Sequence, residues 1–173
     1  MIKAGKIIEV PVTEDIRKIA YEKADEMGKL NNSILKGKGN EVGFIGEEVI
    51  KNYIVNTFGG EIEEGNHYDY DFVHGGIRYE VKTKQTTVTP KSSYDCSIAN
   101  FNPNQKCDVY IFARLHEFWE KAWILGWMEK DEYFKNSVFL KKGEIDTSNN
   151  FIVKADCHNV KILNLHDIKN LKK

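Results

Sequence analysis

Apolar positions along the chain change their period several times, and each change marks an element. Residues 6–12 read as a short strand or extended arm ending at Pro11. Thr13 stands where an N-cap belongs, with Glu14 and Asp15 in the first turn, where the helix dipole favours anions. Ile16, Ile19, Ala20, Ala24, Met27 and Leu30 then recur at helical spacing. The stretch LNNSILKGKGN is polar and contains glycine, so it reads as a loop. A second helix is predicted from about Val42 to Thr57, stopping at Gly59-Gly60. Strands are expected at about 68–73 and 77–84 around a Gly75-Gly76 turn, followed by a long polar loop over 85–106. DVYIFARL (108–115) and KAWILGWM (121–128) are β-rich runs with the profile of strands buried on both faces, and they are expected to pair. Trp123 and Trp127 read as core packing there. EKDEYFKN predicts a short helix, VFLKKG, NFIVKA and NVKILNL short strands, and DIKNLKK a short amphipathic helix or tail. Helices first, then a hairpin, central strands and small elements make an α/β or α+β fold with a mixed sheet.

The chain has 173 residues, one ordinary domain's length. Lys and Arg number 25 against 26 Asp and Glu, a formal charge of −1, which excludes a protein that coats nucleic acid by bulk positive charge. No apolar run approaches the ~18 residues of a membrane span, and charge interrupts the N-terminus too early for a signal peptide. Cys96, Cys107 and Cys157 are odd in number and widely spaced, which fits neither a disulfide framework nor a zinc knuckle. A reducing, cytoplasmic location is expected.

The chemistry concentrates in HYDYDFVHGGIRYEVKTKQ (67–85). Side chains alternate faces along a strand. Arg78, Glu80, Lys82 and Lys84 therefore share one face, with Ile77, Tyr79, Val81 and Thr83 behind them. A Gly-Gly pair suits a two-residue type I′ loop, where both residues need positive φ. That loop pairs His74 with Ile77, Val73 with Arg78 and Asp71 with Glu80. Opposed carboxylates ~4.5–5.5 Å apart at Cβ repel unless a cation lies between them. Hard oxygens at this spacing suit Mg²⁺. Lys82, one pleat on, stands where it can hold an attacking water and screen charge on a phosphate. The register favours Asp71 over Asp69, which stays open as an alternative. His67 and His74 read as turn and surface residues. Lys36, Lys38, Lys84, Lys91 and Lys106 lie in loops around this cleft, either contacting phosphate or simply solvated.

Asp71 followed by Glu80-Val81-Lys82 resembles the PD-(D/E)XK nuclease superfamily, with Tyr70 in place of the proline before the first aspartate. The resemblance covers about residues 41–130. It implies a restriction-endonuclease-like αβββαβ core behind an N-terminal arm and helix (1–40), with small strands and a tail over 131–173. It also implies a Glu on the preceding helix. On a wheel of ~100° per residue, Glu47 falls ~20° beyond the buried arc and Glu48 ~60° outside its other edge, so Glu47 is favoured and Glu48 remains an alternative. The resemblance further implies the Val81 carbonyl as a metal ligand and Gln85 as a polar neighbour of the site. The expected activity is Mg²⁺-dependent hydrolysis of phosphodiesters, with Mn²⁺ able to substitute, in DNA more than RNA. The size matches a compact phage- or mobile-element-type enzyme, and a homodimer would let two subunits cut two strands. No membrane partner is expected. The rival readings are a nucleic-acid-binding or assembly module without turnover, and a domain whose charged hairpin face is merely solvated.

Overall fold

A computed structural model describes residues 7–31, 38–66, 68–100, 105–147 and 150–171, with 28–31 and 38–39 through their backbone only. Strand β1 is Ile8–Pro11 and helix α1 is Glu14–Asn31. Thr13 caps α1 as its position predicts, its Oγ1 accepting from the Ile16 N–H at 3.2 Å. Ile16, Ala20 and Ala24 are buried, whereas Ile19 is exposed. Helix α2 is Lys38–Phe58, starting earlier than the apolar period suggested. Gly59 and Gly60 end it with φ of 72° and 80°.

Strands β2 (Glu63–Glu64), β3 (Phe72–His74) and β4 (Ile77–Thr86) form an antiparallel meander. Gly75 and Gly76 have φ of 58° and 77°, as a type I′ loop needs, and the observed pairs are His74 with Ile77, Val73 with Arg78 and Phe72 with Tyr79. The strand expected over 68–73 is shorter than its alternation suggested. Asn66 Oδ1 accepts from the Tyr68 and Asp69 N–H groups at 3.0 and 2.8 Å, and this local turn replaces the ladder.

The stretch 85–106 is not all loop, because strand β5 (Asp95–Ala99) lies inside it. Strand β6 (Val109–His116) runs parallel to β4, and β7 (Lys121–Glu129) returns antiparallel to β6 with a bulge near Leu125. Helix α3 is Lys130–Asn136. Strands β8 (Val138–Leu140), β9 (Ile145–Asp146), β10 (Phe151–Ile152) and β11 (Cys157–Lys161) follow, and 3-10 turns at Ile162–Asn164 and Ile168–Asn170 close the chain. The main sheet has the order β1-β7-β6-β4-β3-β2, and a smaller one has β5-β11-β8. The fold is mixed α/β with a mixed sheet. Where the resemblance implies a helix in the β4-to-β6 crossover, the described residues are loop and β5.

Two apolar cores flank the main sheet. On one face α1 and α2 cover Tyr79, Val81, Val109, Ile111 and Ile124. On the other, Cys96, Ile98, Tyr133 and Val160 cover Tyr110, Phe112 and Leu125. Each fully buried Ile or Leu contributes roughly 1.5–3 kcal/mol of transfer free energy. Strands β6 and β7 are thus buried on both faces, as their apolar runs predicted. No described helix is long and apolar enough to cross a membrane.

Candidate active site

Helix α2 approaches β4 at Gly46. A Cβ there would lie 1.8 Å from Thr83 Oγ1, so only glycine permits this contact. The next residue, Glu47, is 2% exposed. Glu48 is buried too, contrary to its place on the wheel, because α1 lies across it and Lys23 Nζ donates to its Oε1 at 2.8 Å. Lys51, one turn beyond Glu47, is also buried. Its ammonium lies 2.7 Å from Glu47 Oε1, 3.4 Å from Glu48 Oε1 and 2.5 Å from Glu64 Oε1. Lys23 lies 3.3 Å from Glu64 Oε1 and 3.9 Å from Glu47 Oε1. Oxygens of Glu47, Glu48 and Glu64 all fall within 4.8 Å of one another, a spacing that could hold a metal, yet two ammonium groups already sit among them.

Asp71 stands at the edge where β3 ends. The ladder does not continue to an Asp71–Glu80 pair. The Asp71 N–H donates to Tyr79 O at 2.8 Å, and its Oδ2 accepts from the Val81 N–H at 2.8 Å. The carboxylate thereby takes the place of a missing strand. A strand residue's N–H and C=O point to the same side, so the Val81 carbonyl also faces this edge. Asp69, the alternative ligand, is instead held in the preceding turn by Asn66 Nδ2 at 3.0 Å.

Glu80 projects from the other face of β4, into the second core, and is 6% exposed. The charged face of the hairpin is thus covered at Glu80 and open at Lys84. Glu80 Oε1 accepts from Lys82 Nζ and Gln105 Nε2, both at 3.0 Å. Its Oε2 is buried without a hydrogen-bond partner among the described residues. An unmatched buried acceptor costs ~1–3 kcal/mol, more when charged. That orphaned oxygen, the Asp71 carboxylate and the Val81 carbonyl are hard oxygens of the kind a divalent cation takes.

Electrostatics tie the three acids together although Glu47 and Glu80 occupy opposite faces of the sheet. Burial, then the Asp71 charge, pushes Glu47 up to about 7 against Lys51 and Lys23. The same two causes raise Glu80 against Lys82 and Gln105. Burial pulls Lys51 down, but Glu47, Glu64 and Glu48 outweigh it and hold its pKa above the ordinary value. Asp71 at the sheet edge is thus the charge that both other acids feel.

The remaining predicted residues divide. Gln85 is not beside Lys82. It lies on the helix-side face of β4, and its Oε1 accepts from Trp119 Nε1 at 3.1 Å. Lys84 shares the face of Glu80 and Lys82, with Arg114 as its partner on β6. Lys36 and the side chain of Lys38 lie outside the described residues. His74 is buried rather than on the surface, its Nε2 donating to Gly59 O at 2.7 Å, and His67 lies outside the described residues. Sequence reasoning missed Lys51, whose i+4 spacing from Glu47 was visible. It also missed Gln105 and Glu64, for which no local pattern exists. Comparison of the chain with protein-family models and with curated proteins found no match.

Proposed function

We propose that the chain is a metal-dependent nuclease of the PD-(D/E)XK kind, hydrolysing phosphodiester bonds in DNA. The observation that carries this reading is Glu80: a buried carboxylate with one oxygen unmatched among the described residues, its pKa raised by burial and the Asp71 charge, and bonded to Lys82. Asp71, Glu80 and the Val81 carbonyl are the residues to hold Mg²⁺, or Mn²⁺ in its place. The ion supplies a water of lowered pKa and charge stabilisation at the phosphoryl oxygens. Lys82 orients the attacking water and screens the phosphate. Glu47, already paired with Lys51, acts on Asp71 through its charge rather than as a ligand. A homodimer would allow both strands of a duplex to be cut.

The test is a cleavage panel of plasmid, linear, single-stranded and branched DNA, and RNA, with Mg²⁺, Mn²⁺ or EDTA. Cleavage is expected only with metal, falling ~10²–10⁴-fold in Lys82→Ala with unchanged circular dichroism. Full activity in Lys82→Ala would overturn the mechanism. A second reading, a binding module without turnover, is favoured by the two lysines that already occupy the space among Glu47, Glu48 and Glu64. Strand binding without cutting under every condition selects it.

A further inference from the structure

On the same face of β4 as Glu80 and Lys82, the chain builds a cavity of about 540 Å³ beneath its C-terminal strands. That volume is within the ~300–1,000 Å³ of small-ligand pockets. Its floor is Lys84 and Arg114, register partners on adjacent parallel strands. Like charges directly opposite each other in a sheet are destabilising, and here neither is paired off. Arg114 is 8% exposed, and its only hydrogen bond among the described residues is one NH2 donating to the Asp95 carbonyl at 2.7 Å. The rest of its five donors make no hydrogen bond among the described residues. The Lys84 ammonium has neither hydrogen bond nor ion pair among the described residues. Burial and the Arg114 charge lower its pKa.

The walls repeat this chemistry. Lys154 and Lys161 join Lys84 and Arg114, against two carboxylates, Asp95 and Asp146. Asp95 Oδ1 lies 3.8 Å from Lys161, which offsets part of its charge. Phe151, 52% exposed, lines the opening with Lys154 5.9 Å from its ring centre. Positive charge beside an exposed aromatic ring is how single-stranded nucleic acid is held without sequence preference. A second cavity of about 140 Å³ shares Lys84 and Arg114 with this chamber and is also lined by Lys82. Lys84 lies one pleat, ~6.7 Å, beyond Lys82.

We propose that this cavity is a substrate subsite, holding a phosphate of a nucleic-acid strand between Lys84 and Arg114 and a neighbouring base against Phe151. The proposal rests on the nuclease reading for what becomes of the strand, but not for the binding itself. A nucleoside monophosphate shares this chemistry. The strand is preferred because the cavity adjoining the chamber at Lys84 and Arg114 carries the basic lining on to Lys82.

The test is fluorescence anisotropy of a labelled single strand of about a dozen nucleotides, with the full chain in EDTA. Lys84→Glu is expected to weaken binding about tenfold or more and to reduce the slope of log affinity against log salt by about 1. Arg114→Gln should act in the same direction. Because Arg114 is buried, circular dichroism accompanies it, and exposed Lys84 carries the decision. Lys18→Glu, on α1 across the sheet, should leave affinity within about twofold, its loss of charge being remote. Equal affinity and salt slope in Lys84→Glu and the unsubstituted chain overturn the subsite. Displacement of the strand by an equal nucleotide concentration of AMP overturns the strand assignment in favour of a free nucleotide. A chain that loses binding with Lys84→Glu yet cuts no substrate with Mg²⁺ or Mn²⁺ supports the subsite and overturns the nuclease reading alone.

Discussion

The molecule holds two groups of acids a few residues apart, and they are treated in opposite ways. Around α2, Glu47, Glu48 and Glu64 enclose Lys51 and meet Lys23, so three carboxylates share two ammonium groups. At the β3–β4 edge, Asp71 accepts from the Val81 N–H, Glu80 accepts from Lys82 and Gln105, and the other oxygen of Glu80 goes unmatched among the described residues. Every carboxylate of the first group has an ammonium within 2.8 Å, which closes the group, although three acids against two cations leave one charge over. In the second, one oxygen of Glu80 has no hydrogen-bond partner among the described residues, in a place where burial makes that costly. Proximity of carboxylates therefore does not mark the candidate metal site here, because the tightly spaced trio already holds two ammonium groups. The unmatched oxygen of Glu80 marks it.

The largest expected effect breaks the closed group. Lys51→Met removes the ammonium common to three buried or half-buried carboxylates. Breaking a buried pair from one side costs ~3–5 kcal/mol, since the abandoned charges stay buried. Urea denaturation measures it. A loss below about 1 kcal/mol, typical of an exposed pair, would show that the trio is held by solvent rather than by Lys51.

The link between the groups is Glu47, and pH reads it. Its folded pKa of about 7 lies above the ordinary 4.5. An acid raised in this way contributes stability that is fully present below 4.5 and is lost as pH rises through about 7. At ~1.4 kcal/mol per unit the full loss is on the order of 3 kcal/mol. Glu64 shifts the other way, held below its ordinary value by the two lysines despite burial, so its contribution disappears only in acid. The difference in unfolding free energy between Glu47→Gln and the unsubstituted chain is expected to move in favour of the variant between pH 5 and pH 8. A pH-independent difference would mean that Lys51 keeps Glu47 ionised throughout.

How far these groups could be read from sequence follows from the range of the interactions. The Gly75-Gly76 loop is local, and its register came out as its dihedral requirement predicts. That register puts Glu80 and Lys82 on one face and brings Asp71 to the edge. The final step, from strand pair to side chain reaching Val81, depends on where β3 stops, and a turn organised by Asn66 decides that. The wheel of α2 found Glu47 but put Glu48 in solvent, because a wheel knows one buried arc and α2 has two, one for the sheet and one for α1. Strand β5 has only Cys96 and Ile98 as inward apolar residues and pairs with β11 some sixty residues later. No local period announces such a strand, and with it went the cavity over Lys84 and Arg114. Both cations were visible as letters. Their opposition across β4 and β6 was not.

The smallest of these effects decides between the groups directly. A ligand that binds only the folded chain stabilises it by RT ln(1 + [L]/Kd), ~2.7 kcal/mol at a hundredfold excess over Kd. For a chain of this length that raises the unfolding midpoint by roughly 5–10 °C. If the unmatched oxygen of Glu80 is where a cation is wanted, saturating Mn²⁺ produces this rise in the unsubstituted chain and in Glu64→Gln, whose side chain is 53% exposed. Glu80→Gln abolishes it, since the amide offers one weaker acceptor in place of a charge. The opposite pattern, with the rise lost in Glu64→Gln and kept in Glu80→Gln, would place the ion among the carboxylates of α2. Lys23 and Lys51 would then have to yield their positions to it, and the closed group would be the metal site after all.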